Sequence, residues 1–345
     1  MATYNLDSAD LKGVLVNGLI REDVMNKIWD ISKIPLPFTD MVGSGSAKNE
    51  YKEWTTDELA KPDVSNAVVD GADATGNDTK TGARVGNHHQ TSDKVVKVSY
   101  RADASDTIGR AKELSYQLMR RQQELRRDVE AIALENQASV ADDGDTIAGK
   151  VGGLPTWLET SVENGTPGGF DTGTALTTPY VSGGAPVAMT EASVRDVVES
   201  IYDQGGDATK LMTIPKIIRK FSEYLFTSSA RVATLMSDQG KSQSKAAALG
   251  SVNIFVTDFG TLDFVPNRLQ QKQQAAAPDD SAFVFILDPE YLSLCYLYGY
   301  RTDMLAKTGL AENRQMAVDW SLIVNTEKAH GMIGDIDPTA DVVAG

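Results

Sequence analysis

The sequence predicts an α+β fold. Three observations carry that reading. Residues 113–137, ELSYQLMRRQQELRRDVEAIALENQ, read as one uninterrupted helix. Residues 190–214 give a capped helix and then a short strand. Residues 314–325, RQMAVDWSLIVN, alternate apolar and polar with the period of a half-buried strand. No internal repeat is present.

Taken in order, residues 1–45 form an arm with little core of its own. Val24, Ile28 and Ile31 fall at helical spacing and predict a short helix in REDVMNKIWDI (21–31). The two prolines of KIPLPF argue against regular structure after it. GSGSAK (43–48) reads as a linker rather than a phosphate cradle, because no strand leads into it. EYKEWTTDEL (50–59) and DKVVKVSYRA (93–102) read as two extended segments. The stretch between them is rich in Gly, Asp, Thr and Asn and poor in large apolar residues. A two-stranded ribbon of this kind is marginal in water. The arm therefore either stays loose or lies on another chain.

The helix is expected over 106–138 and about 50 Å long at about 1.5 Å per residue. Ala111, Leu114, Leu118, Leu125, Val129 and Ile132 form its core stripe. Arg120 and Arg127 point away from the stripe, with Arg120–Glu124 and Arg126–Glu130 as ion pairs on the outer surface. Residues 141–188 read as loops with an anchor at GLPTWLETS (153–161). Then Thr190 caps a helix whose stripe is Val194, Val197, Val198 and Ile201, and Gly205 ends it. KLMTI (210–214) is a strand, and Pro215 opens the next helix. VNIFVTDFGTLDFVPN (252–267) is a hairpin turning near Gly260. AFVFILDPEYLSLCYL (282–297) is a buried strand and its continuation. In RQMAVDWSLIVN, Met316, Val318, Trp320, Leu322 and Val324 share one face.

Composition narrows the function. The 345 residues are 41% hydrophobic, enough for a core, and carry a net charge of −15. Gripping nucleic acid needs clustered Lys and Arg to release counterions, and no basic run exists. A nucleic-acid-associated protein using the arginine-paired helix is the alternative reading, and the charge counts against it. The N-terminal MATYNLDSADLKG lacks a basic stretch followed by an apolar one, so no signal peptide is expected. The apolar region 282–300 is broken by DPE and is too interrupted to span a bilayer. The single cysteine, Cys295, reads as a buried small hydrophobe, which suits a reducing cytoplasm.

Catalytic chemistry is missing from the pattern. Adjacent His88 and His89 point to opposite faces of an extended segment and read, with His330, as loop histidines. QGKSQ (239–243) imitates a P-loop end, but Leu235 stands where its first glycine belongs. DDGDT (142–146) reads as a turn, lacking calcium-loop spacing. No G-x-S-x-G occurs. No catalytic, cofactor-binding or metal residues are expected, and no enzyme.

Five stretches in order carry a resemblance. They are EYKEWTTDELAKP followed by VDGADA; GNHHQTSDKVVKVS, with Asn87 and Gln90 at its Asn and Gln positions; the helix ending in Glu-Leu-x-Arg-Asp-x-Glu; GLPTWLE; and LAKTGLAENRQMAVDWSLIVNTEKAHGMI. Together they resemble the HK97-fold major capsid proteins of tailed bacteriophages, in the branch of SU10-type major head proteins, over roughly 20–335. Trp320 departs from that pattern, where a Thr is more usual.

The resemblance implies an N-terminal arm at 1–45, an extended hairpin loop at 46–104, a peripheral domain with a spine helix at 105–185, an axial domain at 186–300, and a return to the peripheral domain at 301–345. It implies a shell subunit that self-assembles into hexamers and pentamers around a phage genome. Portal, scaffolding or decoration proteins are its further partners, with packaged DNA nearby but not specifically bound, and no cofactor or membrane. It places the protein in the virion capsid, assembled in the host cytoplasm. Trp54, Lys80, Arg84, Arg120 and Arg127 are the candidate inter-subunit contacts. Lys80 lies near the loop tip, where a related shell uses a lysine cross-link. No partner Asn is identifiable, so non-covalent stabilisation is expected. The arm looks too short for a cleaved scaffolding segment.

Overall fold

Pro37 opens a helix where a break was expected. The computed structural model describes residues 35–73, 76, 82–105, 107, 110–227, 254–270, 281–307 and 309–343. The expected helix at 21–31 and the QGKSQ loop lie outside them. Helix α1 spans Pro37–Met41, with proline in its first turn, where a missing N–H costs nothing. The GSGS segment is a strand and not a linker. As β1 (Gly43–Ser46) it runs parallel along residues 293–296.

The hairpin has a different partner from the one expected. β2 (Tyr51–Thr56) pairs antiparallel with β3 (Ala83–His88). The DKVVKVS segment falls in β4 (Gln90–Ser99), which leaves the ribbon at His89 and joins a larger sheet. There Val96 and Val98 are buried, burial that a free ribbon cannot provide. A short helix α2 (Tyr100–Ala104) comes next, capped by the Ser99 hydroxyl.

The long helix α3 covers Glu113–Ala133, shorter at both ends than 106–138. Beyond it, Asn136 bonds both the N–H and the carbonyl of Tyr180. Gln137 reaches the Val151 carbonyl. These side chains dock neighbouring loops instead of extending a helix. Core burial sits in the C-terminal half, at Leu125, Val129 and Ala133. Leu118 and Ile132 are only partly buried against the core, and Ala111 is exposed.

The anchor at 153–161 is as expected: Leu154, Trp157 and Leu158 are buried. Gly153 is required there, since a Cβ would lie 2.0 Å from the Glu135 carbonyl oxygen. The surrounding loops hold three short strands that the composition hid: β5 (Val162–Glu163), β6 (Gly169–Asp171) and β7 (Leu176–Thr178).

Local signals dictate the elements after residue 189. Thr190 accepts from Ser193 N at the start of α4 (Glu191–Asp203), and Val194, Val197, Val198 and Ile201 are buried. Gly205 sits at φ 91 just beyond the end, a conformation that suits glycine. β8 (Lys210–Thr213), α5 (Pro215–Thr227), and the hairpin of β9 (Ile254–Val256) and β10 (Thr261–Pro266) come next. Then come β11 (Ala282–Leu287), β12 (Leu292–Met304), β13 (Ala311–Val324) and β14 (Gly331–Ile336).

Two main sheets result. One has the order β5-β14-β11-β8-β10-β9, the other β1-β12-β13-β4, with β2-β3 and β6-β7 as ribbons. All six residues of β11 are buried because alternate side chains feed two cores. Phe283, Phe285 and Leu287 join the core shared with α3 and the four-stranded sheet. Ala282, Val284 and Ile286 join the core beneath α4 and α5. β13 is not half-buried as its alternation suggested: Met316 through Val324 are buried on both faces. Ala47, Cys295 and Trp54 pack against Ile323 on the second face. The chain passes between the main sheets at 288–291, and Gly331–Ile336 rejoins the six-stranded one.

Candidate assembly surface

The root of the hairpin is built into the core. The Trp54 ring lies 5.3 Å from Trp157, which stacks on Phe170 at 5.6 Å. Asn87 is fully buried. Its amide donates to the Gly152 and Leu322 carbonyls at 3.2 and 2.9 Å and accepts from Gly152 N at 2.9 Å. One side chain thus ties β3 to the anchor loop and to β13.

His89 and His330 are core residues rather than loop histidines. His89 meets Asp319 at 2.8 Å through Nδ1 and lies 3.7 Å from Cys295 Sγ through Nε2. Thr91 donates to the other Asp319 oxygen at 3.3 Å. A thiol, an imidazole and a carboxylate in line have the order of a nucleophile, a base and its orienting group. Here Cys295 is fully buried, and burial pushes its thiol up to about 11. The thiolate is therefore suppressed, and the line holds the β3–β4 bend on the sheet. His330 is also fully buried, and burial lowers it to about 3. It stays neutral, and its Nδ1 accepts from Asp288 N at 3.2 Å.

Beyond Thr56 the chain leaves this support. Residues 57–73 form no ladder, and Leu59, Val64, Val68 and Val69 are 95%, 97%, 87% and 78% exposed. Four aliphatic side chains on one segment therefore stand almost entirely in water.

The four described members of the expected contact set, Trp54, Arg84, Arg120 and Arg127, are split between the β2–β3 ribbon and α3. Trp54 is half-buried against its own chain. Arg84 is exposed and forks onto Glu53 across the ribbon at 2.8 and 2.6 Å. Lys80 lies outside the described residues. On α3, Glu124 is bonded by Arg121 at 2.5 Å, while Arg120 lies over the Tyr116 ring at 5.9 Å. Arg127 does not stand in solvent. It is half-buried, and its Nε is enclosed without a hydrogen-bond partner.

Arg126 lies 5.4 Å over the Tyr300 ring and does not pair with Glu130. Glu130 is fully buried on α3 and accepts from Phe38 N, Thr39 N, Thr39 Oγ1 and Asn267 Nδ2 at 2.8, 2.7, 2.6 and 2.8 Å. Sequence reasoning missed this junction. Its only local signal is a Glu flanking the stripe of Val129 and Ala133.

DDGDT forms a turn, in which Asp143 accepts from the Asp145, Thr146 and Ile147 backbone. Among the described residues, no group of three or more His, Cys, Asp or Glu side chains could hold a metal ion. Among those residues, no helix is long and apolar enough to cross a membrane.

Three comparisons bear on this arrangement. The family model described as SU10 major capsid protein matches residues 3–337. The major capsid protein of Escherichia phage Phieco32 is 29% identical over 227 residues, or 57% of this chain. The match spans 64% of that relative's length. Among solved structures, the capsid of an empty GTA particle aligns with a TM-score of 0.59 at 13% identity, covering 96% of this chain and 100% of that one. The SrpI encapsulin of Synechococcus elongatus PCC 7942 gives 0.55 at 11% identity over 99% and 100%. The capsid of cyanophage P-SCSP1u gives 0.55 at 11% over 100% of both. At these identities the structural likeness speaks to the fold.

Proposed function

The chain belongs to the SU10 major capsid protein family and has the HK97 fold, and from that premise we propose that it is the head subunit that self-assembles into an icosahedral shell around a phage genome. The observation that carries the proposal is the segment 57–73, whose root is locked into the core while its aliphatic side chains stand in water. A lone chain gains nothing from such an arm, whereas neighbouring copies bury it.

In this reading β2, β3 and the segment between them are the extended loop. The four-stranded sheet with α3 is the peripheral domain. The six-stranded sheet with α4 and α5 is the axial domain, which the chain leaves at 288 and touches again at β14. Copies meet as hexamers and pentamers, and the portal, scaffolding and decoration proteins of the particle are further partners. The protein resides in the virion, assembled in the host cytoplasm, with packaged DNA nearby and not specifically bound. It has no catalytic role.

Hydrogen exchange tests the role of the arm. The expected result is that amides of 57–73 exchange fast in dissociated subunits and are protected in assembled particles. The β3 amides of 85–88 should be protected in both states, because Val85 and Asn87 already pack on their own chain. Equal fast exchange of 57–73 in both states would remove the arm from the assembly contacts.

A further inference from the structure

A groove of about 370 Å³ opens beneath the hairpin, beside the C-terminal end of β13. Val85, Trp157 and Phe170 give it an apolar floor. Four carboxylates, Asp57, Glu58, Glu159 and Glu327, stand around it, against one cation among the lining residues, Lys328. Lys328 is engaged by Glu58 at 2.6 Å. Glu327 accepts from the Thr160 backbone and hydroxyl at 3.1 and 2.6 Å. Asp57 and Glu159 remain as exposed carboxylates at the mouth. Such a groove suits a cation carried between apolar side chains.

This chain presents such a feature at the other end of the same strand. In the β12–β13 turn, Met304 is 60% and Leu310 84% exposed, with exposed Lys307 between them in sequence. The 14 residues of β13, at about 3.3 Å each, set turn and groove roughly 45 Å apart. One copy cannot fill its own groove.

The geometry points to a head-to-tail contact in which the β12–β13 turn of a second copy seats in this groove, with Met304 and Leu310 on the apolar floor and Lys307 among the rim carboxylates. The contact is heterologous, joining different patches on the two copies, and such contacts close into rings when the rotation between copies closes. The inference rests on the shell reading and deepens it by naming one pair of surfaces through which copies meet. Charge complementarity at the rim fixes register and favours this partner over acidic ones.

Charge exchange tests it. Wild type, Lys307→Glu, Glu159→Lys and the double variant are compared by sedimentation, with circular dichroism as a check of folding. Both positions are exposed, so all four chains should fold. Each single variant should lower the sedimenting fraction by about tenfold, a like-charge cost on the order of 1.4 kcal/mol. The double variant should restore it. A mixture of the two singles should restore it as well, because the altered turn of one matches the altered groove of the other. Singles that assemble like wild type, or a double variant no better than the singles, would overturn the contact while leaving the shell reading intact. A wild type that forms no particles removes both.

Discussion

Glu130→Ala is expected to destabilise the chain by about 4 kcal/mol, because it strands two buried donors, Phe38 N and Asn267 Nδ2, and two part-buried ones on Thr39; an orphaned buried donor costs ~1–3 kcal/mol and such costs are not additive. The carboxylate is fully buried and joins three segments. It stands on α3, accepts from both N–H groups and the hydroxyl at Phe38 and Thr39, and takes the Asn267 amide just past β10. Without it, α1 loses its N-terminal acceptor, and the junction between the spine and the six-stranded sheet opens. Glu130→Gln keeps one acceptor oxygen and the side chain's shape, so it should lose clearly less. Urea unfolding separates the two. An alanine variant that unfolds at the wild-type midpoint would show that α1 and Asn267 are held by other means.

Leu125→Asp should abolish folding. Leu125 is 1% exposed in the core shared by α3, β11 and β13. An unpaired carboxylate there costs an amount comparable to the whole stability of a domain, roughly 5–15 kcal/mol. Leu118→Asp, two turns earlier, should yield a folded but weakened chain, since Leu118 only borders the core. Soluble yield and circular dichroism report both. A soluble, helical Leu125→Asp would mean that the helix turns another face inward.

The contrast between those two leucines shows what the sequence carries. Stripe and cap information is local, so α4 could be read from Thr190 to Gly205 with its buried face correct. The α3 stripe was legible as a face, but not its depth along the helix, because depth depends on which part of the helix β11 and β13 cover. β13 was legible as a strand, yet its second face is covered by Ala47, Cys295 and Trp54 from distant segments. The same reason hid the hairpin's true pairing. DKVVKVS and ARVGNH are both extended, and only the register of β4 along β13 decides which one stays in the ribbon. Glu130 reads as half of a surface ion pair and His89 as a loop histidine because their partners lie 92 and 230 residues away. A charged residue alone in sequence reads as solvated until its partner is known. Of the expected contact residues, Arg84 is fully on the surface, while Trp54 and Arg127 turn partly inward. The exposed valines of the arm were passed over because a Gly- and Asp-rich segment masks them.

The central claim is that this chain closes a shell from copies of itself. Electron microscopy of the purified protein under assembly conditions tests it most directly. Closed icosahedral particles built of hexamers and pentamers, with density for residues 57–73 lying on a neighbouring copy, are the predicted result. A protein that stays monomeric at every concentration and salt tested, or that assembles only as open, irregular aggregates, would contradict it.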